Sequence, residues 1–138
     1  MDAENAENPV DAKTLAERAR VIAVVGASPD PDRPSYDVMS ALVARGYDVI
    51  PVRPGCGSIL GRPCVASIAE IDRPIDIVDV FRRPEAVPEV ARQAAAVGAK
   101  TLWLQEGIVS PEARAIANEA GMNYVENRCL KRVILGTG

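Results

Sequence analysis

The feature that most constrains this chain is the run Val21-Ile22-Ala23-Val24-Val25, unbroken, apolar and largely β-branched, which stops on Gly26. A strand that faces water on one side alternates polar and apolar residues; a run without alternation reads as a strand covered on both faces. Similar short runs recur at Asp48 to Val52, Ile75 to Phe81, Thr101 to Gln105 and Asn123 to Val125. Helical stretches lie between most of them. Asp11 is placed to cap a short helix that carries Leu15 on its apolar side and ends near Arg20. A second helix starts near Ser35, places Val38, Met39, Leu42 and Val43 at spacings of one helical turn, and stops at Gly46. A third runs from Pro84 or Glu85 to Val97 and stops at Gly98; a fourth opens on Ser110-Pro111-Glu112 and stops at Gly121. This alternation predicts an α/β fold, a Rossmann-like doubly wound parallel sheet of five strands in the order 3-2-1-4-5 with helices on both faces. Between Arg53 and Glu70, Pro54, Gly55, Gly57, Gly61 and Pro63 forbid a long helix, so a loop is expected, with one helical turn at Ala66 to Ile71.

With 138 residues the chain has room for one domain, placed at 11–135, behind a polar lead over residues 1–10 that is expected to be frayed. The lead is acidic and lacks an apolar core segment, and no run is long enough to span a bilayer, so a cytoplasmic protein without membrane contact is expected. A net charge of -3 and an aromatic share of 4% argue against nucleic acid as a partner. Cys56, Cys64 and Cys129 show no C-x-x-C spacing, and the chain contains no histidine, which removes most zinc arrangements and most base-assisted nucleophiles. Reduced thiols and no metal are expected.

In an open parallel sheet the ligand sits beyond the carboxyl ends of the strands, where the strand order reverses. The first such end reads G-A-S-P-D-P-D-R-P-S-Y. Gly26 permits a tight turn, Ala27 and Ser28 follow it, and the helix start near Ser35 and Tyr36 offers N–H groups to an anion, with Arg33 adding charge. The loop is neither G-x-G-x-x-G nor G-x-x-x-x-G-K-[ST], and a stiff polar loop with a solvated arginine reads equally well. After the second strand stands Arg53-Pro54, where NAD-binding folds place an acid for the ribose 2′-hydroxyl. An arginine there suits a phosphorylated ribose, so NADP and coenzyme A both remain open, as does a solvated side chain. Phe81, Arg82 and Arg83 follow the third strand; Phe81 can face an adenine or simply end the core, and Arg82 can stack or pair with phosphate. After the fourth, Gln105 and Glu106 reach past the apolar stretch while Trp103 stays in the core. Asn127-Arg128 follows the fifth.

Taken together, V-V-G-A-S-P-D-P-D-R-P-S-Y, G-Y-D-V-I-P-V, D-I-V-D-V-F-R-R-P-E, W-L-Q-E-G-I and N-R-C-L-K strongly resemble the small stand-alone CoA-binding proteins of bacteria, over about residues 14 to 132. Their fold is similar to that of the CoA-binding domain of the succinyl-CoA synthetase α subunit. The resemblance implies a CoA site on Gly26, Ala27, Ser28, Arg33, Ser35, Arg53, Phe81, Arg82 and Gln105. Two residues depart from the family pattern: Arg53 stands where asparagine is usual, and Glu106 where leucine is usual. The usual charged, histidine-bearing tail is also missing after V-I-L-G-T-G.

The synthetases that share this fold need a phosphorylated histidine and further domains, so the resemblance implies non-catalytic binding of CoA or an acyl-CoA rather than an enzyme. The alternatives are an NADP-binding oxidoreductase component, for which Tyr36, Tyr47 and Tyr124 lack a lysine at helical spacing, and a regulatory or assembly protein with a vestigial site. A monomer or homodimer, with room for an unidentified protein partner, fits any of these. Cys129, flanked by Arg128 and Lys131, is a candidate for exchange with a CoA disulfide, against the commoner fate of inert packing.

Overall fold

The computed structural model describes residues 11–136; the lead expected over residues 1–10 lies outside them. Helix α1 (Ala12–Arg18) is followed by β1 (Val21–Val25), α2 (Pro34–Ala44) and β2 (Asp48–Val52). Two very short strands, β3 (Ser58–Ile59) and β4 (Arg62–Pro63), form an antiparallel hairpin, and a 3-10 turn at Ile68–Glu70 leads to β5 (Ile77–Val80). A second 3-10 turn at Pro84–Ala86 runs into α3 (Val87–Ala96), and β6 (Thr101–Leu104), α4 (Pro111–Glu119), β7 (Asn123–Val125) and α5 (Leu130–Leu135) complete the chain. The doubly wound α/β fold expected from the alternation is therefore present.

Apolar residues of the strands divide between two cores, one on each face of the sheet. Ala23, Val78, Val80, Leu102 and Leu104 pack against Val87, Val90, Ala91 and Ala94 of α3 and Ala113 and Ala117 of α4. Ile22, Val24, Ile77 and Trp103 pack against Ala16 of α1, Val38, Met39 and Leu42 of α2, and Leu130 and Val133 of α5. Two-sided burial is what removed polar residues from the strands. Asp11 caps α1 as expected, its Oδ1 accepting from the Thr14 N–H at 2.9 Å, but the buried face of α1 is Ala12 and Ala16, with Leu15 only half-buried.

A carboxylic acid in the middle of β5 breaks the apolar rule outright. Asp79 lies between Val24 of β1 and Trp103 of β6 in register, has no solvent exposure, and neither carboxyl oxygen has a hydrogen-bond partner. Burial pushes its pKa well above the ordinary carboxylate range, in the direction that favours the protonated form. Asp76, at the entry to the same strand, is partnered instead: Oδ2 accepts from the N–H groups of Arg20 (2.9 Å) and Val21 (3.0 Å), fixing β5 against the start of β1.

The strand order corrects the sequence expectation. The sheet runs β2-β1-β5-β6-β7, so the third long strand pairs with the first and not with the second, giving 2-1-3-4-5 in place of 3-2-1-4-5. Pro51 supplies the reason. In a parallel strand a residue's N–H and C=O point to the same neighbour, and Pro51 turns its carbonyl outward to the Val65 N–H at 3.0 Å. It has no N–H to offer a full ladder on that side, which confines β2 to the edge. Among the described residues that side carries a single parallel bridge, Val52 to Val65, with the Arg53 N–H also donating to the Val65 carbonyl at 2.8 Å.

Candidate functional site

The corrected order moves the switch point to the junction of β1 and β5, and the loops leaving these two strands touch. Gly26 adopts φ +86°, and a Cβ there would collide with the Phe81 carbonyl oxygen and come within 3.1 Å of Arg82 Cδ. Only glycine lets the first loop pass so near the end of β5. Hydrogen bonds hold the junction: Phe81 N–H donates to the Val25 carbonyl (2.8 Å) and Gly26 N–H to the Val52 carbonyl (3.2 Å).

Beyond this junction opens a crevice of about 1250 Å³. Eleven of the twelve sequence-predicted residues line it: Gly26, Ala27, Ser28, Arg33, Ser35, Arg53, Pro54, Phe81, Arg82, Gln105 and Glu106. Tyr36 does not, because it points into the packing between α2 and the sheet, half-buried. The first loop is built from local turns: the Ser28 hydroxyl accepts from Asp30 N–H (3.1 Å), Asp30 Oδ1 from Asp32 N–H (3.0 Å), and Arg33 N–H returns to the Asp30 carbonyl (3.0 Å). These turns present the start of α2 to the crevice with Pro34 in its first turn and no side chain capping it.

Arg53 leans from the end of β2 across the first loop, its Nη1 donating to the Ala27 carbonyl at 3.2 Å. That contact uses one of five guanidinium donors and sets the group over the crevice. Gln105 is buried, and its Oε1 accepts from Leu130 N–H at 3.2 Å, so it positions α5 from the crevice floor. Glu106 neither caps its own turn nor stands alone; it takes Arg132 Nη1 at 2.6 Å. Asn127 is not in the crevice: its Oδ1 accepts from Gly107 N–H at 2.7 Å and braces the loop after β6.

Helix α5 was not expected, and it brings Lys131 and Arg132 to the crevice, with Cys129 just before it. Lys131 Nζ pairs with both carboxyl oxygens of Asp37 on α2 at 3.0 and 2.9 Å, joining the two helices over the opening. The spacing of Leu130, Val133 and Ile134 ahead of Gly136 was the available signal for this helix. The lining thus carries six basic side chains, Arg33, Arg53, Arg82, Arg83, Lys131 and Arg132, against three acidic ones, Asp30, Asp37 and Glu106. In a chain of net charge -3 the crevice is locally positive by three.

Among the described residues there is no cluster of three or more His, Cys, Asp or Glu placed to hold a metal ion, and no helix is long and apolar enough to cross a membrane. The fold and crevice define a doubly wound α/β protein with a basic, cofactor-sized opening at its switch point.

The comparisons agree. A family model described as a CoA binding domain matches residues 20–134, and the chain belongs to that family. The uncharacterized protein YneT of Bacillus subtilis (strain 168) is 42% identical over 127 residues, 91% of this chain and 94% of that one. The solved structure of a hypothetical protein from Pyrococcus horikoshii OT3 matches with a TM-score of 0.87 at 38% identity, covering 94% of this chain and 95% of its own. The dinucleotide-forming acetyl-coenzyme A synthetase 1 of Ca. Korarchaeum cryptofilum matches with a TM-score of 0.73 at 23% identity, over 85% of this chain and 28% of that one, which is a likeness of fold.

Proposed function

We propose that the crevice binds coenzyme A or an acyl-CoA and performs no chemistry on it. The observation that carries this reading is the local charge: the segments after three strands, β1, β2 and β5, together with α5 bring six basic groups to one crevice of an otherwise acidic chain. A ligand rich in phosphate fits such a lining, and membership of the CoA binding domain family favours CoA over other phosphorylated ribose cofactors. The close Gly26 to Phe81 approach leaves backbone exposed beside the uncapped start of α2, which suits a diphosphate, and Arg53 at the end of β2 suits the phosphate on the ribose. Binding without catalysis is favoured because two of the three crevice carboxylates, Asp37 and Glu106, are each engaged by a cation, and the chain has no histidine to take a phosphoryl group.

Parallel calorimetric titrations with CoA, 3′-dephospho-CoA, NADP and NAD test the proposal. CoA is expected to bind tightest, its advantage over the dephospho form shrinking by about tenfold in Arg53→Ala, the loss of one charge-assisted phosphate contact. Equal affinity for all four, or turnover of an acyl-CoA by the purified chain, defeats it.

A further inference from the structure

Cys129 is a free, half-buried thiol in the lining of the crevice, and binding alone leaves it without a task; Cys56 and Cys64 lie outside that lining. Its place is fixed by β6 and the residue after it. The Arg128 N–H donates to the Leu104 carbonyl (3.3 Å), the Trp103 indole Nε1 donates to the Arg128 carbonyl (2.9 Å), and the Leu130 N–H donates to Gln105 Oε1 (3.2 Å). The chain is thus tied down on both sides of Cys129, and its sulfur is held at the β6 end of the crevice.

Gln105 marks the same spot for a ligand. It is 5% exposed and lines the crevice, and the bond from Leu130 settles which end of its amide is the oxygen. The Nε2 end has no acceptor among the described residues, so a nearly buried amide faces the crevice with both donors idle, and buried donors as a rule are paired. The sheet order says which part of a ligand would supply the acceptor. On the reading of the crevice as a CoA site, the ribose phosphate belongs to Arg53 after β2 and the diphosphate to the start of α2 after β1. The same direction continued across β5 carries the pantetheine arm to β6, three strand spacings or about 14 Å from β2. That arm bears two amide carbonyls and ends in the thiol.

We propose that Cys129 takes CoA covalently, by exchange with the disulfide form of the cofactor. This rests on the reading of the crevice as a CoA site and adds a bond to it. Cys129 gives up its proton, and its thiolate attacks one sulfur of CoAS–SCoA; the Cys129–S–S–CoA bond forms as the CoAS–SCoA bond breaks, and the departing CoAS⁻ takes up a proton. The Cys129 sulfur is oxidised, one CoA sulfur is reduced, and no other oxidant enters. Gln105 Nε2 donates to a carbonyl of the pantetheine arm and so aligns the sulfur beside Cys129. A cofactor held in this way leaves only when another thiol attacks the mixed disulfide, so the oxidised ligand is retained and the reduced one exchanges freely.

The test uses the full chain, reduced and freed of reductant, incubated separately with CoA disulfide, pantethine and glutathione disulfide, quenched with N-ethylmaleimide and mapped by mass spectrometry. The expected product carries one CoA on Cys129, is released by dithiothreitol, and forms at least about tenfold faster than the pantetheine or glutathione adduct, because the nucleotide delivers the disulfide to the sulfur. Adenosine 3′,5′-bisphosphate, which has the ribose phosphate and no thiol, is expected to slow the CoA reaction at Cys129 by about tenfold at saturation and to leave any adduct on Cys56 or Cys64 unchanged. Cys129→Ser, with serine suited to the N-cap position that Cys129 holds on α5, is expected to lose the adduct, and the wild-type map stands without it. Equal rates with the three disulfides, adducts on Cys56 or Cys64 in preference to Cys129, or no slowing by the bisphosphate overturns the proposal. Calorimetry of the reduced wild type with CoA separates two failures: binding of CoA with no adduct at Cys129 overturns the covalent step alone, whereas no binding of CoA overturns both the step and the reading beneath it.

Discussion

The sharpest stability prediction concerns Asp79, whose carboxyl is fully buried in the sheet with both oxygens unpartnered. Two costs sit on this side chain and two substitutions separate them. The first is ionisation. The unfolded chain releases the proton near 3.8, the ordinary aspartate value, whereas burial raises the pKa well above that in the folded protein. The folded state therefore binds more protons through the window that opens at 3.8 and closes at the raised folded pKa. Stability is fully present below the window and falls as pH rises through it, by about 1.4 kcal/mol per pH unit. Asp79→Asn keeps the shape and removes the proton equilibrium. The second cost is the orphaned polarity, about 1 to 3 kcal/mol for a buried group without a partner. Asp79→Leu keeps the branched outline and removes that as well, less the strain of two methyls larger than the oxygens they replace. Urea unfolding followed by far-UV circular dichroism at pH 5, 6, 7 and 8 reads both. Taking each variant minus wild type cancels the other carboxylates, whose slopes the three proteins share. The difference for Asn is expected to grow with pH, and Leu is expected to exceed Asn by about 1 to 3 kcal/mol at every pH. A difference for Asn that stays constant from pH 5 to 8, or a Leu variant less stable than Asn, refutes the picture of a neutral, unpaired acid.

Gly26→Ala forces a left-handed backbone onto a residue with a Cβ and drives that Cβ onto the Phe81 carbonyl, so it should cost at least about 2 kcal/mol in the same urea assay and weaken CoA binding as the two loops part. Asp76 is desolvated, yet N–H donation from Val21 and Arg20 and the Lys100 ammonium bring its pKa below the ordinary aspartate value. Its contribution is present above 3.8 and lost as pH falls through the lowered folded value; Asp76→Asn should therefore cost about 1.5 to 3 kcal/mol at pH 7 and lose less than wild type on acidification, seen in acid unfolding curves. Glu106→Gln removes the partner of Arg132 in a pair that is more than half exposed, so the melting temperature should barely move. Affinity for CoA should rise several-fold and fall more steeply with salt, both readable by calorimetry, because the crevice gains one net positive charge.

How much of this was legible in the sequence depended on whether neighbours or the chain itself decided the matter. The long strands were legible because each is buried on both faces, and that burial writes itself into the chain as a run such as Val21 to Val25. The strand order was missed although its signal was present: Pro51 interrupts the second run at a position where a central strand needs an N–H. The β3–β4 hairpin turns through Leu60 at φ 52° and Gly61 at φ 75°, and a leucine in the left-handed region is no recognisable turn residue. Helix α5 is six residues long and held from outside, by Gln105 at its first N–H, by Asp37 at Lys131 and by Glu106 at Arg132. Its existence is a tertiary fact, and with it went two of the six basic groups that line the crevice.

The pairs that hold α5 also bear on how a ligand would enter. Lys131 and Arg132 face carboxylates on two different elements, α2 and the loop after β6, so the helix closes over the crevice by ion pairs whose side chains are between 32% and 62% exposed. Such pairs are worth at most about 1 kcal/mol each in water and are screened by salt. A phosphate entering beside them competes on favourable terms, since it carries more charge and more acceptors than either carboxylate. The cations that hold the helix over the crevice are thus the cations a phosphorylated ligand would recruit, and Asp37 and Glu106 the groups it would have to displace. On this reasoning Glu106, through its pair with Arg132, would raise the affinity that a phosphorylated ligand needs in order to enter.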